Sequence, residues 1–283
     1  MERGKEDCHI HMVLDGENWK AAIQRHENGP DLPWIRGILE RYANAGYDYL
    51  RDGGDRWGVG AAARTLAGEY GIRYRTPLAP LYHKGHYGSF IGVGFENVRE
   101  YRELVCKNRE KDFVKIMISG LMDFDRFGVL TQPGLTAGEI RELVHIAHEE
   151  GYAVMAHANG AEVVRAAAEA GVDSVEHGAY LDGEALHAMA ENGTVWVPTL
   201  SAIGNLRGKG RFDETAVEQI LESAMENAAK FAAMGGLVAE GSDAGAWAVP
   251  HAAGPERALL RQALGENVEE VLRRGGEKIR EKF

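Results

Sequence analysis

Eight short strand-forming runs alternate with helix-forming runs along almost the whole chain, and this alternation limits the fold more than any other feature. A helical stretch at 30–45 stops at Gly46, and Tyr47-Asp48-Tyr49-Leu50-Arg51-Asp52 then reads as a strand. Residues 60–70 are Ala-rich and helical, 72–82 are extended, 98–109 are helical, and 112–119 form a short apolar strand closed by Gly120. In the second half Thr136 and Glu139 have capping-box spacing and open a helix running to Glu150. Strands follow at 152–156, 172–176, 194–197 and 236–239, separated by helices at 161–170, from Asp182 to Gly193, and at 213–234. One or two helices occupy 255–283. Strands separated by helices imply right-handed βαβ units and a parallel sheet. Eight such units fit a closed (β/α)8 barrel, an α/β fold of TIM-barrel type, as one domain over residues 1–283. The first strand is not followed by a G-x-G-x-x-G turn, which argues against a dinucleotide-binding sheet.

Barrels of this kind place their chemistry at the C-terminal ends of the strands. The first strand, in Asp7-Cys8-His9-Ile10-His11, delivers two histidines two residues apart, which share a strand face and can chelate one ion. An H-x-H pair alone arises often by chance, so the remaining strand ends decide its meaning. The strand Phe113-Val114-Lys115-Ile116-Met117 carries a lysine inside an apolar run. His157 ends the strand in Met155-Ala156-His157-Ala158, and His177 follows Val175-Glu176. Asp243 follows the last strand in Gly241-Ser242-Asp243-Ala244-Gly245. Read singly, Lys115 could extend out of a strand, His157 and His177 could be core residues, and Asp243 could cap a loop. Together they put a polar ligand at the end of five strands.

This set resembles the amidohydrolase superfamily of metal-dependent hydrolases, in particular its imidazolonepropionase-like and prolidase-like branch. The resemblance extends from Asp7 to about Gly265. It implies that His9, His11 and Asp243 bind one divalent ion and that His157 and His177 bind a second. Lys115, carbamylated by carbon dioxide, would bridge the two. It also implies a metal-bridging hydroxide that attacks an amide-like C–N bond in a cyclic amide, a dipeptide or an N-acyl compound, with Asp243 orienting it and moving its proton. Two divalent ions facing a carbamate, an aspartate and a hydroxide leave a net positive Lewis acid. Zinc suits imidazole and carboxylate ligands best, with manganese, cobalt and iron as alternatives. Ester, lactone or phosphotriester hydrolysis could use the same site, and a barrel that only binds metal or ligand is the non-enzymatic alternative. The superfamily commonly adds a small β-sandwich. With only six residues ahead of Asp7, the expectation is a barrel without it, its surface open to a second subunit.

The stretch 83–97, rich in Gly, His and aromatics, reads as a loop at the barrel mouth, and Tyr82, His83, His86 and His251 are the candidate substrate contacts. His145, His148 and His187 fall on helices and read as surface residues, Glu176 as a structural residue facing away from His177, and Cys8 as packing on the strand face opposite the histidines. A net charge of −11 opposes nucleic-acid and anionic-membrane binding, leaving a small molecule as the expected partner. Two distant cysteines form no disulfide framework, and the lack of a leader-like or membrane-length apolar run makes the cytoplasm the default location.

Overall fold

The computed structural model describes residues 4–283. Among these, the strands are β1 (Lys5–Ile10), β2 (Tyr47–Asp52), β3 (Arg73–Arg75), β4 (Leu81–His83), β5 (Val93–Phe95), β6 (Val114–Met117), β7 (Val154–Ala158), β8 (Ser174–His177), β9 (Val195–Val197) and β10 (Leu237–Val238). Every pairing between them is parallel, in the orders β1-β2-β3 and β10-β9-β8-β7-β6-β4-β5. Two seams join the sheets into a barrel. At one, the Cys8 amide donates to Glu240 O (2.8 Å), the Asp243 amide to His9 O (2.8 Å) and the His11 amide to Ala244 O (2.7 Å). At the other, the Asp112 amide donates to Thr76 O (3.0 Å) and the Thr76 amide to the Asp112 carboxylate (2.9 Å). The chain is therefore a (β/α)8 barrel, as the alternation requires.

One barrel position differs from expectation. The single extended run at 72–82 is two strands, because Pro77 and Pro80 lack the N–H that a continuous ladder needs. β4 resumes beside β6, with Leu81 opposite Ile116, and the stretch 83–97, expected to be irregular, contains β5 paired on its outer side.

Side-chain alternation sorts the strands into two faces. Val114, Ile116, Ala156, Val175 and Trp196 face outward into the main core beneath the helices. Phe113, Met155, Val195, Val197 and Ala239 face inward and form the barrel floor, closed by Ile279 and Phe283 of the helix Val268–Lys282. β1 breaks this parity. Its partners on β2 advance from Leu50 to Asp52 while β1 advances from Asp7 to Ile10, so β1 holds one extra residue. This bulge turns both Cys8 and His9 inward. Cys8 is packing, as expected, but in the barrel floor rather than on the opposite face.

The helices begin where their caps dictate. In the helix Ala137–Glu149 both arms of the capping box form: the Thr136 amide donates to Glu139 Oε2 (2.8 Å) and the Glu139 amide to Thr136 Oγ1 (3.3 Å). Asp182 and Asp213 cap their helices through the amides of Ala185 and Ala216. No helix is long and apolar enough to cross a membrane among the described residues.

The C-terminal helix lies so close to β10 that a Cβ on Gly275 would stand 2.0 Å from Val238 O. Gly275→Ala is expected to cost about 1–3 kcal/mol in a guanidinium titration, because neither backbone can yield without shifting the floor. Gly183→Ala, where a Cβ meets nothing within 4 Å, serves as the neutral control.

Candidate metal centre

The sequence-expected ligands meet at the C-terminal mouth. His9 comes from β1 and His11 from the residue just beyond its end, Lys115 from β6, His157 from β7, His177 from the last position of β8, and Asp243 from beyond β10. Two glycines make room for His9 and His11. A Cβ on Gly53 would lie 2.4 Å from His11 Cε1, and one on Gly241 would lie 2.4 Å from Val197 Cγ1 and 2.9 Å from the His9 amide. His177, Thr199 and Asp243 all have left-handed backbone, with φ of 69°, 49° and 59°. Non-glycine residues there are strained, and such strain gathers at functional sites.

His9, His11 and Asp243 bring one donor atom each into a cluster. His9 Nε2 and His11 Nε2 are 3.4 Å apart, and Asp243 Oδ1 lies 3.5 Å from the first and 3.3 Å from the second. The His9 Nδ1–H donates to Glu176 Oε2 (2.6 Å), which leaves Nε2 as a bare lone pair facing a carboxylate oxygen. A cation placed among these three atoms would be bound by the lone pairs of all of them. Ligands 2.0–2.1 Å from a tetrahedral zinc ion stand about 3.3–3.4 Å apart, which is the spacing seen here. His11 Nδ1 is buried without a hydrogen-bond partner, so its ring is not held by a competing bond.

His157 and His177 lie side by side with ring centroids 4.6 Å apart, and His177 is 5.0 Å from His9. The His157 Nε2–H donates to Gly120 O (3.2 Å), leaving Nδ1 for an ion. The Thr199 hydroxyl engages His177 Nδ1 (2.8 Å), leaving Nε2. Burial holds His9 and His177 well below the ordinary histidine range and His157 down to about 3, so all three rings stay neutral and able to ligate. Lys115 is 1% exposed. Burial, with the nearby Arg51 charge, pulls its amine down to about 8, and it lies within electrostatic reach of Asp243 and all three of those rings. The donor set therefore offers one three-atom cluster that fits a divalent ion, with His157, His177 and the Lys115 amine buried beside it.

Sequence reasoning placed Glu176 on the wrong side. The strand alternation that would turn it away from His177 fails because His177 itself leaves the strand conformation. Glu176 points into the barrel, where Oε2 holds His9 and Oε1 accepts from Arg51 Nη2 (2.8 Å) and Ser174 Oγ (2.6 Å). Arg51 also donates to Cys8 O (2.7 Å) and Ser174 Oγ (2.9 Å). A charged residue at an inward position of β2 is the signal that could have found this network. Tyr87 was also missed. Its ring lies 4.9 Å from His157, and burial, together with the Asp243 charge, pushes its hydroxyl well above the usual phenol range, so it keeps its proton.

The four residues expected to touch substrate lie in β4, in the segment after it and in the segment after β10. Both ring nitrogens of buried His251 are used inside the protein, donating to Leu14 O (2.9 Å) and accepting from Tyr42 (3.2 Å), so it braces the last loop. Tyr82 packs beneath Gly88, Gly92 and Gly94 of its own loop, where added Cβ atoms would meet it at 2.7–3.0 Å. His83 and His86 pack edge to face at 5.3 Å and lie within electrostatic reach of Glu139. The residue of that loop brought against a ligand is Tyr87. His145, His148 and His187 are on the surface, paired with Glu149, Asp173 and Glu191.

A model of the amidohydrolase family matches residues 65–273, which include Lys115, His157, His177 and Asp243. Ochratoxinase of Aspergillus niger is 27% identical over 233 residues, an alignment covering 71% of this chain and 48% of that protein. The chain thus spans about half the length of the curated relatives it matches. Among solved structures, a Xaa-Pro dipeptidase with methionine in its active site superposes with a TM-score of 0.79 at 22% identity, covering 98% of this chain and 75% of that one. A prolidase complexed with N-methylphosphonate-L-proline gives 0.76 at 24%, covering 98% and 74%. These likenesses support the barrel.

Gly53→Ala should push the His11 ring out of the cluster. The expected result is divalent-metal affinity lowered about tenfold or more, measured by competition with a chelator, while the metal-free protein unfolds near its original midpoint. Unchanged affinity would separate His11 from metal binding.

Proposed function

Because its matched residues show that the chain belongs to the amidohydrolase family, we propose that it is a metal-dependent hydrolase of an amide-like C–N bond, working at a binuclear centre. The observation that carries this reading is the convergence of His9 Nε2, His11 Nε2 and Asp243 Oδ1 at 3.3–3.5 Å, at the spacing of ligands around one ion. His9, His11 and Asp243 would hold one ion, His157 and His177 the other, and Lys115, carbamylated by carbon dioxide, would join them. Zinc best suits this imidazole and carboxylate set, with manganese, cobalt or iron next. Bound there, such ions supply Lewis acidity, lowering the pKa of water to about 7 and polarising a carbonyl oxygen.

The chain's own residues supply orientation and proton movement. Glu176 fixes the His9 tautomer, and Gly120 O fixes that of His157. Asp243 is anchored through its backbone, its amide on His9 O and its carbonyl receiving the Ala246 amide (3.0 Å), which keeps its Cα beside the two histidines. That carboxylate would take a proton from the attacking water and return it to the leaving nitrogen, a role worth about 10²–10⁴-fold in rate. Tyr87, protonated and against His157, closes the apolar wall of the site. A C–N bond is favoured over an ester or phosphotriester because the relatives include a Xaa-Pro dipeptidase and a prolidase.

Metal analysis of the purified chain is expected to find about two divalent ions, and chelation should abolish turnover that added zinc restores. Fewer than about one ion per chain, or full activity after exhaustive chelation, would remove the proposal. His157→Ala should reduce both metal content and kcat. Asp243→Asn should lower kcat by about 10²–10⁴-fold, and a panel of amides and esters decides the bond.

A further inference from the structure

Asn159 is fully buried just past the end of β7, two residues after His157, and it joins the segments that follow three ligand-bearing strands. Its Oδ1 accepts the Ala179 amide (3.0 Å), two residues beyond His177. Its Nδ2 donates to Gly120 O (3.1 Å), in the segment that follows β6 and Lys115. Its own amide donates to Ser119 Oγ (2.8 Å). The Ala179 N–H can meet only an oxygen, so the side-chain amide has one orientation, with Oδ1 at Ala179 and Nδ2 at Gly120.

The carbonyl that Asn159 holds is the one that His157 uses. Three donors converge on Gly120 O: Asn159 Nδ2, the Ser119 hydroxyl (3.0 Å) and the His157 Nε2–H (3.2 Å), with Asn159 Nδ2 and His157 Nε2 standing 3.4 Å apart. Gly120 has no side chain to steer its carbonyl, and Asn159 acts on that carbonyl directly through Nδ2 and indirectly through Ser119. While the His157 proton is kept on Nε2 by Gly120 O, Nδ1 retains a lone pair; a proton that moved to Nδ1 would close that atom to an ion. His9 differs, because a carboxylate, Glu176, takes its N–H at 2.6 Å. The two rings assigned to the second ion have neutral partners, Gly120 O for His157 and the Thr199 hydroxyl for His177. A neutral acceptor holds a ring proton less firmly than a carboxylate does, so the aim of Gly120 O matters more.

We propose that Asn159 is a positioning residue for the second ion: by aiming Gly120 O at His157 it keeps that ring in the Nε2–H tautomer and leaves Nδ1 open to the metal. The inference rests on the two-ion reading of the site and names the side chain on which one histidine of the second ion depends. Both ends of that side chain are engaged with backbone, so Asn159 acts through His157 and not on the reacting atoms.

The test compares wild type with Asn159→Leu, similar in size but without polar atoms, and with Asn159→Asp, which keeps an oxygen at Ala179 and offers the His157 N–H a carboxylate oxygen. Long-range 1H–15N spectra of the metal-free proteins read the His157 tautomer, its signals assigned by their loss in His157→Ala. Zinc titration against a chelator reads the affinity of each ion. Wild type should show the Nε2–H form at His157. Asn159→Leu should show a mixture of tautomers and a second-ion affinity lowered about tenfold or more, with the first ion within about threefold of wild type. Asn159→Asp should retain both the Nε2–H form and the second ion although the bond to Gly120 O is gone, which a purely structural tie between segments would not allow. Should Asn159→Leu not fold, Asn159→Ala carries the same expectations. An unchanged tautomer in Asn159→Leu, an equal loss at both ions, or an equal loss in the Leu and Asp variants overturns the inference. Wild type that takes up a single ion counts against the two-ion reading, and a tautomer change in Asn159→Leu then still supports the hold of Asn159 on His157.

Discussion

The site depends on one carboxylate buried inside the barrel. Glu176 lies between the Arg51 guanidinium and the His9 ring, with all three side chains fully buried. Taking these charges out of water is costly, and the cost is offset only because almost every polar atom is matched: Arg51 also reaches Cys8 O and Ser174, and Ser174 returns a bond to Glu176. The Phe283 ring covers the guanidinium from below at 4.4 Å. Removing either partner would leave an unpaired buried charge, which costs about 3–5 kcal/mol in proteins generally. The same carboxylate sets which His9 nitrogen carries the proton, so fold stability and ligand orientation rest on one group.

Barrel closure and site assembly are likewise one event. The bonds that join β1 to the segment after β10 run through His9, His11, Asp243 and Ala244. The bulge in β1 turns His9 inward and lets it reach both Glu176 and Asp243, while the left-handed backbone at Asp243 turns its carboxylate back over the same point. A chain that failed to close would therefore have no complete ligand cluster.

The mouth is built on a different principle. Its loops are fastened to one another by hydrogen bonds, and aromatic rings pack among them. Loops carry specificity because they vary without disturbing the closed sheet beneath. His251 illustrates the division. It sits in the last loop, where a sequence reading looks for substrate contacts, yet both its nitrogens are used in bracing that loop.

The sequence by itself determined the barrel and the placing of His9, His11, Lys115, His157, His177 and Asp243, the candidate ligands, on or just beyond its strands. It could do so because strand and helix periodicities are local, and because a lysine in an apolar run or a histidine at a strand end stands out against its neighbours. Even there the single extended run expected at 72–82 is divided by Pro77 and Pro80 into two strands at one barrel position. Tertiary structure alone decided that Glu176 faces inward, that Cys8 shares the floor, and that Tyr87 rather than Tyr82, His83 or His86 reaches a ligand. The reason is physical. Side-chain direction at a bulge or a left-handed residue departs from the regular alternation, and contacts between loops depend on distances that the closed barrel sets, neither of which is carried by the spacing of residues along the chain.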